Sequence, residues 1–120
     1  MFEKAHSVMF FVSDVPAAAK WYGELLETDP FHVLPDIPVI RLGHTEIWFH
    51  LADSKVSSGK AGTVTYWRVA DFSAAIRRAE ERGGVVYRGP LEIEDGDAIC
   101  QIADPFGNLF GLIGVGQRSA

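Results

Sequence analysis

Hydrophobic and polar positions along the chain fall into two copies of one pattern. In Val12-Ser13-Asp14-Val15-Pro16-Ala17-Ala18 and in Val69-Ala70-Asp71-Phe72-Ser73-Ala74-Ala75, an apolar strand end is followed by a small residue, an Asp and an apolar residue, and an Ala pair closes the stretch. Apolar residues then recur at Val15, Ala18, Ala19 and Tyr22, and at Phe72, Ala75, Ile76 and Ala79. This i, i+3, i+4, i+7 stripe predicts an amphipathic helix in each copy. Each Asp stands where an N-cap carboxylate accepts from the first unpaired amides of a helix, and Pro16 falls in the first turn, where its absent N–H costs nothing. Gly83-Gly84 marks the end of the second helix. The charged run Arg77, Arg78, Glu80, Glu81 and Arg82 is that helix's solvated outer face.

Three short β-rich runs follow each helix. In the first copy they are about Phe31–Leu34, Ile37–Leu42 and Thr45–Leu51, punctuated by Pro35-Asp36 and Gly43-His44. In the second, Val85–Ile93 and Ala98–Ala103 flank the hairpin signal Asp95-Gly96, and Asn108–Ile113 follows the turn Asp104-Pro105-Phe106-Gly107. The copies also end alike, with Phe49-His50-Leu51 matching Phe110-Gly111-Leu112. The pattern predicts an α+β fold: two βαβββ modules forming curved mixed sheets with one helix packed on each. Module one spans about 5–52 and module two about 62–116, joined by a Ser-, Gly- and Lys-rich linker at about 53–61.

Side chains alternate along a strand, so parity sorts them between the helix-covered face and the opposite, concave face. Ile47, Phe49 and Leu51 belong to the helix side, as do Val8, Phe10 and Val12, Phe110 and Leu112, and the alternate residues Thr65, Trp67 and Val69 of a strand Thr63–Val69. The concave face then carries Met9, Phe11, Trp48, His50, Tyr66 and Arg68, broad aromatic surfaces with a few polar handles. Such a lining suits a small aromatic or amphipathic molecule. The same large side chains could instead bury a dimer interface.

Composition narrows the functions. The 11 Lys and Arg against 16 Asp and Glu leave a net charge of −5, and no basic run interleaves with aromatics, so nucleic acid is not an expected partner. No apolar run reaches the length of a membrane span, and Met1-Phe2-Glu3-Lys4 does not open a signal segment, so no membrane association and a cytoplasmic location are expected. Cys100 is the single cysteine, read as a small buried strand residue, so neither an intrachain disulfide nor a cysteine zinc site can form. The sequence has no G-x-S-x-G elbow, phosphate loop or H-E-x-x-H helix. The acidic stretch Glu92, Glu94, Asp95 and Asp97 lacks the spacing of a calcium loop and is expected to be solvated.

Together the repeat, the Asp-led helix starts and Asp104-Pro105-Phe106-Gly107-Asn108 resemble the vicinal-oxygen-chelate superfamily, which includes glyoxalase I, extradiol dioxygenases, fosfomycin-resistance enzymes and bleomycin-resistance proteins. The resemblance runs from Ser7 to Ile113 and implies paired βαβββ modules in a homodimer with a small-molecule pocket. The metal-ligand positions that it implies fall on Ser7, His50, Val64 and Gly111, of which His50 alone is a suitable donor. The branch most resembled is therefore the bleomycin-resistance type, which sequesters a ligand without metal, so no cofactor is expected. Asp14-Val15-Pro16-Ala17-Ala18 followed by Trp21-Tyr22 points the same way. The alternative is a metal-dependent lyase or dioxygenase holding Zn, Ni, Mn or Fe through His50, a displaced His6 and Glu46. A local bulge would be needed to bring His6 to the His50 face. A third reading is a structural dimer without ligand.

Overall fold

The computed structural model describes residues 1 and 3–116. Its elements are β1 (Ser7–Val12), α1 (Val15–Leu26), β2 (Phe31–Leu34), β3 (Ile37–Leu42), β4 (Thr45–Leu51), β5 (Tyr66–Arg68), α2 (Phe72–Glu81), β6 (Val85–Glu92), β7 (Asp97–Ala103) and β8 (Leu109–Val115), with a 3-10 turn at Glu94–Gly96. The order βαβββ occurs twice and builds two four-stranded sheets, β1-β4-β3-β2 and β5-β8-β7-β6. In each sheet the module's first and last strands pair in parallel and the other pairs are antiparallel. This is the α+β arrangement predicted from the hydrophobic pattern. The chain divides into two compact units, Met1–Ser58 and Gly59–Ala120.

Both helices start as their Asp residues dictate. The Ala17 amide donates to Asp14 Oδ1 and the Ala74 amide to Asp71 Oδ1, each at 3.0 Å. At the end of α2, Gly83 adopts φ +90°, a left-handed conformation open to glycine, and the Gly84 amide donates back to the Ala79 carbonyl at 2.9 Å.

In the first unit α1 packs on β3 and β4. Its Tyr22 ring stacks on Phe10 at 5.0 Å between centroids and meets Phe49 at 5.5 Å, so one helix residue joins two strands through an aromatic cluster. Phe49, Ile40, Ile47 and Val12 complete this core and are buried. In the second unit α2 packs on β8 and β6, over Phe72, Ala79, Ile102, Phe110 and Leu112. Cys100 lies buried in β7, and burial pushes its thiol pKa up.

The Asp104–Asn108 turn is held from inside: buried Asp104 Oδ1 accepts from the amides of Phe106 and Asn108 at 2.8 and 2.9 Å, while buried Asn108 Oδ1 accepts from the Gly59 amide at 2.8 Å. The motif thus ties the start of the second unit to the entrance of its last strand.

Three expectations need correction. The strand expected over Thr63–Val69 is regular only at Tyr66–Arg68, where this edge strand pairs with Gly111–Ile113, a part of the longer β8. Leu51 is 57% exposed rather than packed on a helix, since it ends β4 beyond the reach of α1's buried face. Asp97 is not simply solvated but ion-paired with Arg68 at 2.8 Å. No helix among the described residues is long and apolar enough to cross a membrane.

Removing either cap carboxylate, by Asp14→Ala or Asp71→Ala, is expected to lower stability by about 1 kcal/mol, while Asp→Asn at the same positions retains most of it. Urea denaturation of the four variants checks this.

Candidate functional site

The register of the first sheet aligns one row of side chains across all its strands. Phe31 of β2 faces Val39 of β3, Val39 faces Trp48 of β4, and Trp48 faces Met9 of β1. This row lies on the face opposite α1, because the neighbouring positions Phe10, Ile40, Ile47 and Phe49 fill the helix-side core. Beside it, Phe11 pairs with His50, their ring centroids 5.4 Å apart.

Trp48 is held in place by its neighbours. Its indole N–H donates to Glu46 Oε1 at 3.0 Å, and Arg41 Nη2 donates to Glu46 Oε2 at 2.7 Å. The hydrogen bond from Arg41, then that from Trp48, lowers the Glu46 pKa and keeps the carboxylate ionised. Arg41 also sits over the Phe31 ring at 5.2 Å, a cation–π contact that carries the network to the outer strand. His50 Nδ1 lies 2.9 Å from the Leu51 carbonyl. A carbonyl only accepts, so Nδ1 bears a hydrogen and, in the neutral ring, the lone pair lies on Nε2.

Of the six residues singled out by parity, Met9, Phe11, Trp48 and His50 share this face of the first unit, with Met9 43% exposed and the other three half-buried. Tyr66 and Arg68 belong to the second unit. There Arg68 Nη2 donates to Asp97 Oδ2 at 2.8 Å, and the Tyr66 hydroxyl accepts from Gln101 Nε2 at 3.0 Å. The Tyr66 ring lies flat over Gly111: a Cβ on Gly111 would come 2.4 Å from the ring. Sequence reasoning missed Phe31 and Arg41. Their signal was available only as register, since both lie on β2 and β3, whose pairing offset the turn alone decides.

An open groove of about 1290 Å³ lies on the other side of the first sheet, between α1, the β2–β3 hairpin and the end of β4. Of the six residues that parity assigned to the concave face, it touches His50.

A family model described as Glyoxalase/Bleomycin resistance protein/Dioxygenase superfamily matches residues 4–112. The chain belongs to this superfamily. No curated protein matches it in sequence. Among solved structures, a superfamily member from Sphaerobacter thermophilus DSM 20745 is 20% identical, with a TM-score of 0.77 over 94% of this chain and 98% of that one. TnmS3, an antibiotic binding protein from Streptomyces sp. CB03234, is 22% identical, with a TM-score of 0.77 over 96% and 98%. A family enzyme from Burkholderia phytofirmans PsJN is 17% identical, with a TM-score of 0.77 over 92% and 98%. At these identities the likeness is one of fold.

Some enzymes of the glyoxalase superfamily hold a metal, and the residues here do not fit one. At the positions carried over, Val64 offers an aliphatic chain, and the space above Gly111 is taken by the Tyr66 ring. His6 Nε2 approaches Glu46 Oε1 only to 4.0 Å, and the Glu46 carboxylate is already occupied by Arg41 and Trp48. β1 pairs with β4 in unbroken register from Ser7 to Val12, with no bulge to move His6 toward the His50 face. Glu46 and His50 lie four residues apart on β4, about 13 Å at the usual strand rise. No group of three or more His, Cys, Asp or Glu among the described residues is placed to hold an ion.

Two outcomes test this geometry. Gly111→Ala is expected to displace the Tyr66 ring and cost about 1–3 kcal/mol by overpacking. In a Tyr66→Ala background the same change is expected to be neutral or stabilising, because a strand glycine then gains a side chain in open space; urea denaturation of the double-mutant cycle measures the coupling. The second concerns Asp97, whose pKa is lowered by the hydrogen bond from Arg68. A carboxyl depressed on folding adds stability above its unfolded pKa, and that stability is lost as pH falls through the folded value. NMR titration should place the Asp97 carboxyl below the ordinary aspartate range, and Arg68→Met should return it there.

Proposed function

We propose that this protein is a metal-independent binder of a small aromatic or amphipathic molecule, acting as a cytoplasmic homodimer and sequestering its ligand without transforming it. One observation carries the reading: Phe31, Trp48 and Met9, with Val39 buried between Phe31 and Trp48, form an apolar strip whose indole is locked by Glu46. An aromatic surface already ordered in the free protein loses little entropy when a flat molecule stacks on it. Phe11 and His50 border the strip, and the Nε2 lone pair of His50 can accept a hydrogen bond that orients the ligand. Tyr66 and Arg68 supply the corresponding surface of the second module, with the guanidinium partly committed to Asp97.

Metal independence is supported by the donor set: among the described residues no group of three or more His, Cys, Asp or Glu converges with His50. The use of this fold by TnmS3 for antibiotic binding supports a sequestering role. The homodimer is supported by exposed Val85, Tyr87 and Leu91 on the outer strand β6, an apolar stripe of the kind that marks interaction surfaces.

The test uses 8-anilinonaphthalene-1-sulfonate, an amphipathic aromatic anion. Its titration is expected to quench tryptophan fluorescence, and Trp48→Ala should remove most of that quenching. Unchanged quenching in the variant overturns the site. Stoichiometric Zn, Ni, Mn or Fe in purified protein, lost in His50→Ala, overturns metal independence in favour of the enzymatic alternative.

A further inference from the structure

Beyond that reading, we propose that the groove between α1 and the β2–β3 hairpin is a second binding site, for an amphipathic organic cation. The groove follows from the packing: α1 lies over β3 and β4, and every residue of the outer strand β2 is exposed. Its wall is apolar, formed by Val15, Pro16 and Ala19 of α1 and by Leu34, Pro35 and Pro38 opposite. Prolines give this wall little conformational freedom to lose on binding. At about 1290 Å³ it exceeds the ~300–1,000 Å³ of an ordinary ligand pocket and suits an elongated molecule.

Charge selects the occupant. Among the described residues lining the groove, Asp14, Glu24, Glu27, Asp29 and Asp36 are carboxylates, against one amine, Lys20. The positive end of α1 does not offset this, because Asp14 already caps it. An apolar wall under a rim of one sign attracts a molecule with a hydrocarbon body and an ammonium or guanidinium head, and repels the anionic counterpart. None of Phe31, Val39, Trp48 and Met9 lines the groove, although His50 borders both it and that row, so amide shifts at Ala19, Gly23 and Ile37 distinguish the two sites.

The experiment titrates ¹⁵N-labelled full-length protein with three octyl amphiphiles below micelle formation: octyltrimethylammonium, octyl glucoside and octanesulfonate. The cation is expected to bind about tenfold more tightly than the neutral compound, shifting the amides of Ala19, Gly23 and Ile37. D29N/D36N, both at exposed positions, should weaken the cation roughly fivefold and leave octyl glucoside unchanged, while Leu34→Ser should weaken both. The dispersed amide spectrum of each variant reports that it is folded. Equal or tighter binding of octanesulfonate, shifts confined to residues outside the groove, or cation affinity unaltered in D29N/D36N would each overturn the proposal.

Discussion

A helix is about 10 Å across, whereas four strands span about 14 Å between their outer axes. Each module of this protein lays one helix on one four-stranded sheet, and that mismatch governs the rest of the structure. One face of each sheet is sealed by a core of Ile, Val and aromatic side chains. The other face has no helix, and on the helix side part of the sheet lies beyond the helix's reach. In the first unit both leftovers are built into surfaces: the aromatic row centred on Trp48 on one side and the acid-rimmed groove beside α1 on the other.

Polar groups on the open face hold the aromatic row in place. Glu46 could in principle ligate a metal, yet its oxygens take the indole N–H of Trp48 and the guanidinium of Arg41, and Arg41 in turn covers Phe31. In the second unit the equivalent economy is steric. Gly111 gives up its side chain so that the Tyr66 ring can lie on the sheet, and Gln101 fixes the hydroxyl at the ring's far end. Of the two, the second occupies a ligand position that the resemblance implied, Gly111, and both leave flat aromatic area behind.

The amino-acid sequence alone determined the modules, because each depends on local signals repeated in register with the chain: an Asp before an amphipathic stripe, a Gly pair after one, and alternation of apolar residues along short runs. The same alternation placed Met9, Phe11, Trp48 and His50 on one face and Phe10, Ile47 and Phe49 on the other, since a strand's period of two leaves no freedom once one residue is assigned. Tertiary structure decided everything that depends on which strands are neighbours. Phe31 and Arg41 joined the Trp48 row through cross-strand register, Asp97 left solvent for Arg68 across the second sheet, and the Tyr66 ring settled on Gly111 from an adjacent strand. The groove beside α1 is the clearest case: its lining comes from a helix, a hairpin and a strand end, and no local pattern encodes the gap between them.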